Sequence, residues 1–271
     1  MVTIDHDNER EPSGVLEPSP YGLAERLGER SRARNPVVVG GVVAVVGYLV
    51  MTAVLMGLGL IFTKLLVSGP EGTWDIIGLN RWFVTQRTAT LNSVSSVGSL
   101  LGATLTIIGI AVLASIVLAI GRHWREVGFL AAALTLEATV ALTTSVLVNR
   151  PRPDVIRLDA APPTASFPSG HTAAAIALYV SLALVITSFV RSSTLRAFVW
   201  LLAIVIPIYV AISRLYRGMH HPTDVIGSAV LGAGSLIFAL IACRTAVAVI
   251  EQRTVTAEEL ASDPIDSKVV P

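Results

Sequence analysis

Three short segments of this chain carry residues that together could bind and cleave a phosphate ester. The first is Arg150-Pro151-Arg152-Pro153, the second is Pro168-Ser169-Gly170-His171, and the third is Ser213-Arg214 followed by His220 and Asp224. Arginine offers a planar, permanently charged fork that matches non-bridging phosphate oxygens, so Arg152 and Arg214 are candidate phosphate ligands. Ser169 and Gly170 stand where a helix is expected to begin. Free backbone N–H groups and the positive end of the helix dipole attract anions there, and glycine lets a phosphate approach the backbone. Pro168 suits that helix start. His220 and Asp224 are four residues apart, on one face if the turn is helical. The carboxylate can then hold one imidazole nitrogen protonated and leave the other as a nucleophile. His171 arrives from a different segment and is free to serve as acid and base.

These segments must be carried to one place by the rest of the chain, and composition says what that scaffold is. Only 14% of the 271 residues are charged and 53% are hydrophobic. A soluble domain usually carries about 25% charged residues, so a lipid environment is indicated. Net charge is +1, which gives no basic field for nucleic acid. The single cysteine, Cys243, lies in an apolar run and has no partner for a disulfide.

A helix needs roughly 20 apolar residues to cross about 30 Å of hydrocarbon. Charge is absent between Arg34 and Lys64, between Arg87 and Arg122, and over 172–190, 197–213 and 225–243; over 129–149 the only charge is Glu137. The runs are continuous rather than alternating, which argues against a barrel. The expectation is an all-α bundle of six transmembrane helices over residues 35–245. Residues 1–34 read as a disordered tail and 246–271 as a flexible one. An even number of spans puts both termini on one side. That side collects Arg26, Arg30, Arg32, Arg34, Arg122, Arg125, Arg191, Arg196 and Arg244, so the positive-inside rule makes it cytoplasmic. The three chemical segments then share the outer face. Trp74 and Trp82 fall near the outer interface, and Trp124 and Trp200 near the inner one. Residues 73–87 read as a short surface helix, either a lipid-entry lip or a plain connector.

With these residues placed, the chain resembles the type 2 phosphatidic acid phosphatase and vanadium haloperoxidase superfamily, in its integral-membrane lipid phosphatase branch. That family's pattern is Lys, six residues, Arg-Pro; then Pro-Ser-Gly-His; then Ser-Arg, five residues, His, three residues, Asp. The second and third blocks match in full, and the first matches at Arg152-Pro153. The resemblance implies that His220 attacks phosphorus, that His171 protonates the leaving oxygen and then activates water, and that Asp224 orients His220. It implies that Arg152, Ser169, Gly170 and Arg214 hold the transferring group, with no metal and no cofactor. The substrate it implies is a lipid phosphate, either a phosphatidyl phosphate or an undecaprenyl-type pyrophosphate, cleaved through a phosphohistidine. A lipid-to-lipid phosphotransferase using the same histidine and a non-catalytic membrane scaffold are the alternatives. The protein would sit in the plasma (inner) membrane with its site facing the extracytoplasmic side.

The family lysine falls at position 145, where this chain has Ser145. Seven residues make two helical turns, so that position faces the same way as Arg152. Arg150, Arg157 or Arg217 is expected to supply the missing charge. His220, His221 and Asp224 are competent metal ligands, but the neighbouring arginines would repel a cation. His221 itself reads as a loop residue. Glu137, a charge inside a span, is either a paired interior group or a functional one.

Overall fold

The computed structural model describes residues 14–65, 78–160 and 163–262, which contain helices and no strands. In chain order the helices are α1 (Leu23–Arg30), α2 (Pro36–Leu60), α3 (Leu79–Thr85), α4 (Ala89–Leu101), α5 (Thr104–Ile120), α6 (Trp124–Val148), α7 (Gly170–Phe189), α8 (Ser193–Tyr216) and α9 (Pro222–Ser262). A π-helical turn, Ile61–Leu65, extends α2. Local chemistry sets several ends. Asn35 caps α2 by accepting from Val37 N at 2.9 Å, with Pro36 in the first turn. Asn149 closes α6 in the left-handed conformation, at φ 47°, which asparagine tolerates better than most residues.

Five of these helices are long and apolar enough to cross a membrane, and a sixth span results if the bent pair α4 and α5 counts as one. The uninterrupted span expected between Arg87 and Arg122 is therefore broken. The two halves meet at 47°. At 1.5 Å per residue, α4 reaches about 20 Å and α5 about 26 Å, each short of the hydrocarbon thickness. The break falls at Gly102. A Cβ there would stand 2.6 Å from Val210 and 2.8 Å from the carbonyl oxygen of His171, so only glycine lets the turn press against α7 and α8.

The interior is assembled from a few shared clusters. Met51 and Leu55 of α2, Leu136 and Val140 of α6, Ala173 of α7 and Leu231 of α9 surround Phe167, which is fully buried. Ile107 of α5 meets Leu130 of α6 and Leu178 of α7. Large apolar residues such as Val42, Leu49, Leu105, Leu113 and Ile204 point outward, as lipid-facing positions do.

Among the described residues, parts of both expected tails, 23–30 and 246–262, are helical. Residues 23–30 form a helix that packs along α9, with Leu16 and Ala24 buried and Gly28 against Ala248. Arg244 donates to the Val15 carbonyl at 2.8 Å and 3.0 Å. A few small or apolar residues on one face suffice, because α9 continues past 246 as helix and buries Val247, Ala248 and Val249. The surface helix expected over 73–87 corresponds to α3 in its second half, with Trp82 exposed; residues 73–77, including Trp74, lie outside the described residues.

Candidate active site

The C-terminal ends of α6 and α8 and the N-terminal ends of α7 and α9 meet at one end of the bundle. The segments between them fold over that end. Phe167 anchors the 150–169 segment: its ring is 6.0 Å from that of Phe62, edge to face. A Cβ at Gly227 would come within 2.3 Å of it, so the second turn of α9 is shaped to receive the ring.

This anchoring brings Ser166 to His220. The Nδ1 of His220 donates to the Ser166 carbonyl oxygen at 2.8 Å, while the nearer Asp224 oxygen is 3.7 Å away. A carbonyl only accepts, so Nδ1 carries the proton and the neutral ring keeps the Nε2 lone pair. The sequence reading assigned the orienting bond to Asp224. In the structure the direct bond comes from a backbone oxygen, and Asp224 acts at longer range. Burial favours the uncharged ring and moves the His220 pKa below its ordinary value, against the pull of Asp224.

Asp224 is itself held on all sides. Arg150 Nη1 donates to one carboxylate oxygen at 2.6 Å and to Thr223 Oγ1 at 2.6 Å. The other oxygen accepts from the Ser166 hydroxyl and from the His221 N–H at 2.8 Å. Arg150 and Asp224 are 2% and 0% exposed, so this is a fully buried ion pair.

A second carboxylate, Asp159, gathers two further arginines. It accepts from Arg214 Nη1 at 2.8 Å and from Arg217 Nη2 at 2.6 Å. Ser99 of α4 accepts from the same Arg214 nitrogen at 2.6 Å, and Arg217 also reaches Ser95 and the Asn92 carbonyl. Burial pushes the Asp159 pKa up, but hydrogen bonds from Arg217 and the charges of both arginines outweigh it and hold the carboxyl below its usual value. Among the described residues Arg152 meets no carboxylate at hydrogen-bond distance. It donates to the carbonyl oxygens of Met219 at 2.8 Å, Thr164 at 3.2 Å and Ala165 at 3.3 Å. The Nε atoms of Arg152 and Arg214 have no acceptor among the described residues.

A cavity of about 720 Å³ opens onto this cluster. Arg152, Gly170, His171, Arg214 and His220 line one part of it, and Ile107, Ile108 and Val112 of α5 face Leu134 and Leu142 of α6 in the rest. Gly170 is exposed, with open space where a Cβ would be.

Several expected site residues lie elsewhere. Ser169 is fully buried and does not line the cavity; its hydroxyl pairs with Thr172 at 3.1 Å instead of capping α7. Ser145 does line the cavity. None of the three cations expected to replace the lysine there does so. Arg150 is committed to Asp224, Arg217 to Asp159, and Arg157 is exposed outside the cavity. His221 is buried against the Pro151 carbonyl, at 3.2 Å. Glu137 lines the cavity about 12 Å below Ser145 along α6, and makes no hydrogen bond or ion pair with a described residue. No cluster of metal-ligating side chains occurs among the described residues. Asp159 and Ser166 carried no signal in the sequence, since the 150–169 segment has no periodicity to place them, and Ser99 was one more small residue in a charge-free run.

Comparison with known proteins agrees with the layout. Residues 126–247 match the family model of the PAP2 superfamily. A transmembrane PAP2-type phosphatidylglycerolphosphate phosphatase from Bacillus subtilis has a similar structure, with TM-score 0.58 and 23% identity, over 76% of this chain and 94% of that one. The structure of LpxE from Aquifex aeolicus gives TM-score 0.45 and 28% identity, over 59% of this chain and 92% of that one. No curated protein sequence matches the chain.

Proposed function

This chain belongs to the PAP2 superfamily, and from that premise we propose that it is an integral-membrane phosphatase that hydrolyses lipid phosphates through a phosphohistidine at His220. The observation that carries the reading is the shared cavity. It joins two histidines and two arginine forks to apolar walls on α5 and α6. A phosphate would rest at the polar end while its hydrocarbon tail lies between the helices.

The chemistry follows from the groups at hand. Arg152 and Arg214 neutralise charge on the phosphoryl oxygens, and the free N–H groups at the start of α7, beside Gly170, add to this. His220 Nε2 attacks phosphorus in line as the bond from phosphorus to the lipid oxygen breaks. His171 gives that oxygen its proton, releasing the lipid alcohol. Neutral His171 then takes a proton from water, whose oxygen attacks phosphorus. The phosphorus–nitrogen bond breaks, and phosphate leaves. The Ser166 carbonyl keeps the His220 ring in its Nδ1–H form throughout. Asp224, fixed by Arg150, stabilises the positive charge that develops on the ring. The site lies on the extracytoplasmic side in this reading, by the arginine count on the opposite loops. A phosphotransferase would use the same first half, so the test is whether water or an acceptor lipid receives labelled phosphate. Transfer to lipid with no release of inorganic phosphate would overturn the hydrolase reading.

Two further outcomes are expected. Ser166→Ala removes a hydroxyl bond to the Asp224 carboxylate but keeps the carbonyl that holds His220. A charge-assisted bond contributes about 1.5–3 kcal/mol, so kcat should fall roughly 10- to 100-fold with KM little changed; steady-state kinetics on one lipid phosphate checks this. The second concerns pH. The folded His220 pKa lies below the ordinary 6.5. Neutral His220 therefore persists below that value, and the acid limb of kcat/KM assigned to it should lie under pH 6.5. The same shift costs stability on acidification: below about pH 6.5 the unfolded chain takes up a proton that the folded ring resists. Thermal unfolding between pH 7.5 and 5.5 should show Tm falling, less so in His220→Gln.

A further inference from the structure

Four guanidinium groups and two carboxylates surround the polar end of the cavity, and their pairing decides how much charge a substrate meets. Arg150 and Asp224 close on each other at 2.6 Å. Arg214 and Arg217 share the single carboxylate of Asp159, at 2.8 Å and 2.6 Å. Among the described residues Arg152 is held by the carbonyl oxygens of Met219, Thr164 and Ala165 and by the Thr164 hydroxyl, none of them charged. These six groups leave two positive charges in excess, not counting the proton that His171 delivers to the leaving oxygen. A fully ionised phosphate monoester carries two negative charges, and a diphosphate ester carries a third. A lysine at 145 would have raised the excess to three, but Ser145 is neutral.

We propose that Asp159 is a specificity-determining residue: by holding Arg214 and cancelling one arginine charge, it fits the site to a lipid phosphate monoester rather than a lipid diphosphate. The inference rests on the reading of Arg214 as a phosphate ligand. Its geometric basis is the orientation of that side chain. Asp159 and Ser99 take Nη1, and Nε has no described acceptor. Arg214 also lines the cavity; Nε is buried as well as unpaired, which leaves the Nη2 side of the fork for a phosphate. Asp159 thus does two things, orienting the fork and lowering the local charge, and two substitutions separate them. Asp159→Asn keeps an oxygen to accept from Arg214 but removes the charge. Asp159→Ala removes both.

The experiment uses the full chain in detergent micelles with two lipids that share one tail, a monophosphate and a diphosphate. The wild type should favour the monophosphate in kcat/KM. Asp159→Asn should move the diphosphate-to-monophosphate ratio up by about tenfold, the scale of one extra charge met at close range under partial screening. Asp159→Ala should raise KM for both lipids, because Arg214 loses its hold. Ser145→Lys adds a positive charge from α6 without touching Asp159, and should shift the ratio the same way. It decides the matter should the Asp159 variants not fold. A wild type that prefers the diphosphate, or a ratio unmoved in both Asp159→Asn and Ser145→Lys, overturns the proposal. Wild-type KM in Arg214→Ala would instead overturn the phosphate-site reading beneath it.

Discussion

His220→Ala is expected to abolish phosphate release, with a loss on the order of 10⁵-fold in kcat, the scale seen when a covalent nucleophile is removed. The size follows from the proposed mechanism, in which both half-reactions pass through a bond to Nε2. No neighbouring side chain can substitute. His221, the next residue, is turned away to the Pro151 carbonyl and backed by the Asp224 contact of its own N–H. The measurement is release of inorganic phosphate from a lipid phosphate panel, with and without EDTA. Wild-type turnover should survive the chelator, because the arginines supply the positive charge. Wild-type activity in His220→Ala would remove the nucleophile from consideration, and loss of wild-type activity in EDTA would argue for a metal. The variant itself should fold, since alanine leaves no charge unpaired at that position.

Arg150→Ala is expected to have the second largest effect, and to act on stability as well as rate. It leaves the Asp224 carboxylate fully buried without its ion-pair partner. Breaking a buried pair by removing one member costs about 3–5 kcal/mol, a large share of the stability of most domains. The remaining partners, the Ser166 hydroxyl and the His221 N–H, supply no charge. Tm should drop clearly, and kcat should fall by more than 100-fold in whatever fraction stays folded, because Asp224 is free to move away from His220. Arg150→Ala/Asp224→Asn should recover part of the stability but not the activity. A Tm equal to wild type in Arg150→Ala would show that the pair is not holding the end of the bundle. The same variant separates two roles for this arginine. A phosphate ligand would change mainly KM, whereas a support for Asp224 changes kcat and Tm together.

Much of this was legible in the chain alone. The continuous apolar runs predicted helices in a membrane, and five long ones appear, with a sixth if the broken pair is one span. The break at Gly102 was not legible. Its cause is the approach of Val210 and His171, residues more than sixty positions away. The Arg-Pro, Pro-Ser-Gly-His and Ser-Arg-His-Asp segments named the residue types around the cavity, and His171, His220, Arg152 and Arg214 do line it. Ser169 stands at the helix start that the sequence indicated, but the inward turn of its hydroxyl to Thr172 had no local signal.

The division has one physical reason. Charge-free length, helix period and motif spacing are local properties, so the sequence by itself determined a helical membrane protein with phosphate-type chemistry at helix ends. Which cation faces which carboxylate is a through-space matter. Arg150 meets Asp224 across 74 positions and Arg214 meets Asp159 across 55, and neither pairing has a local signature. Only the packing of α2, α6, α7 and α9 around Phe167, and of the helix ends that meet beside it, decided that Arg150 pairs with Asp224, that the Ser166 carbonyl sets the His220 tautomer, and that Asp159 sits on Arg214.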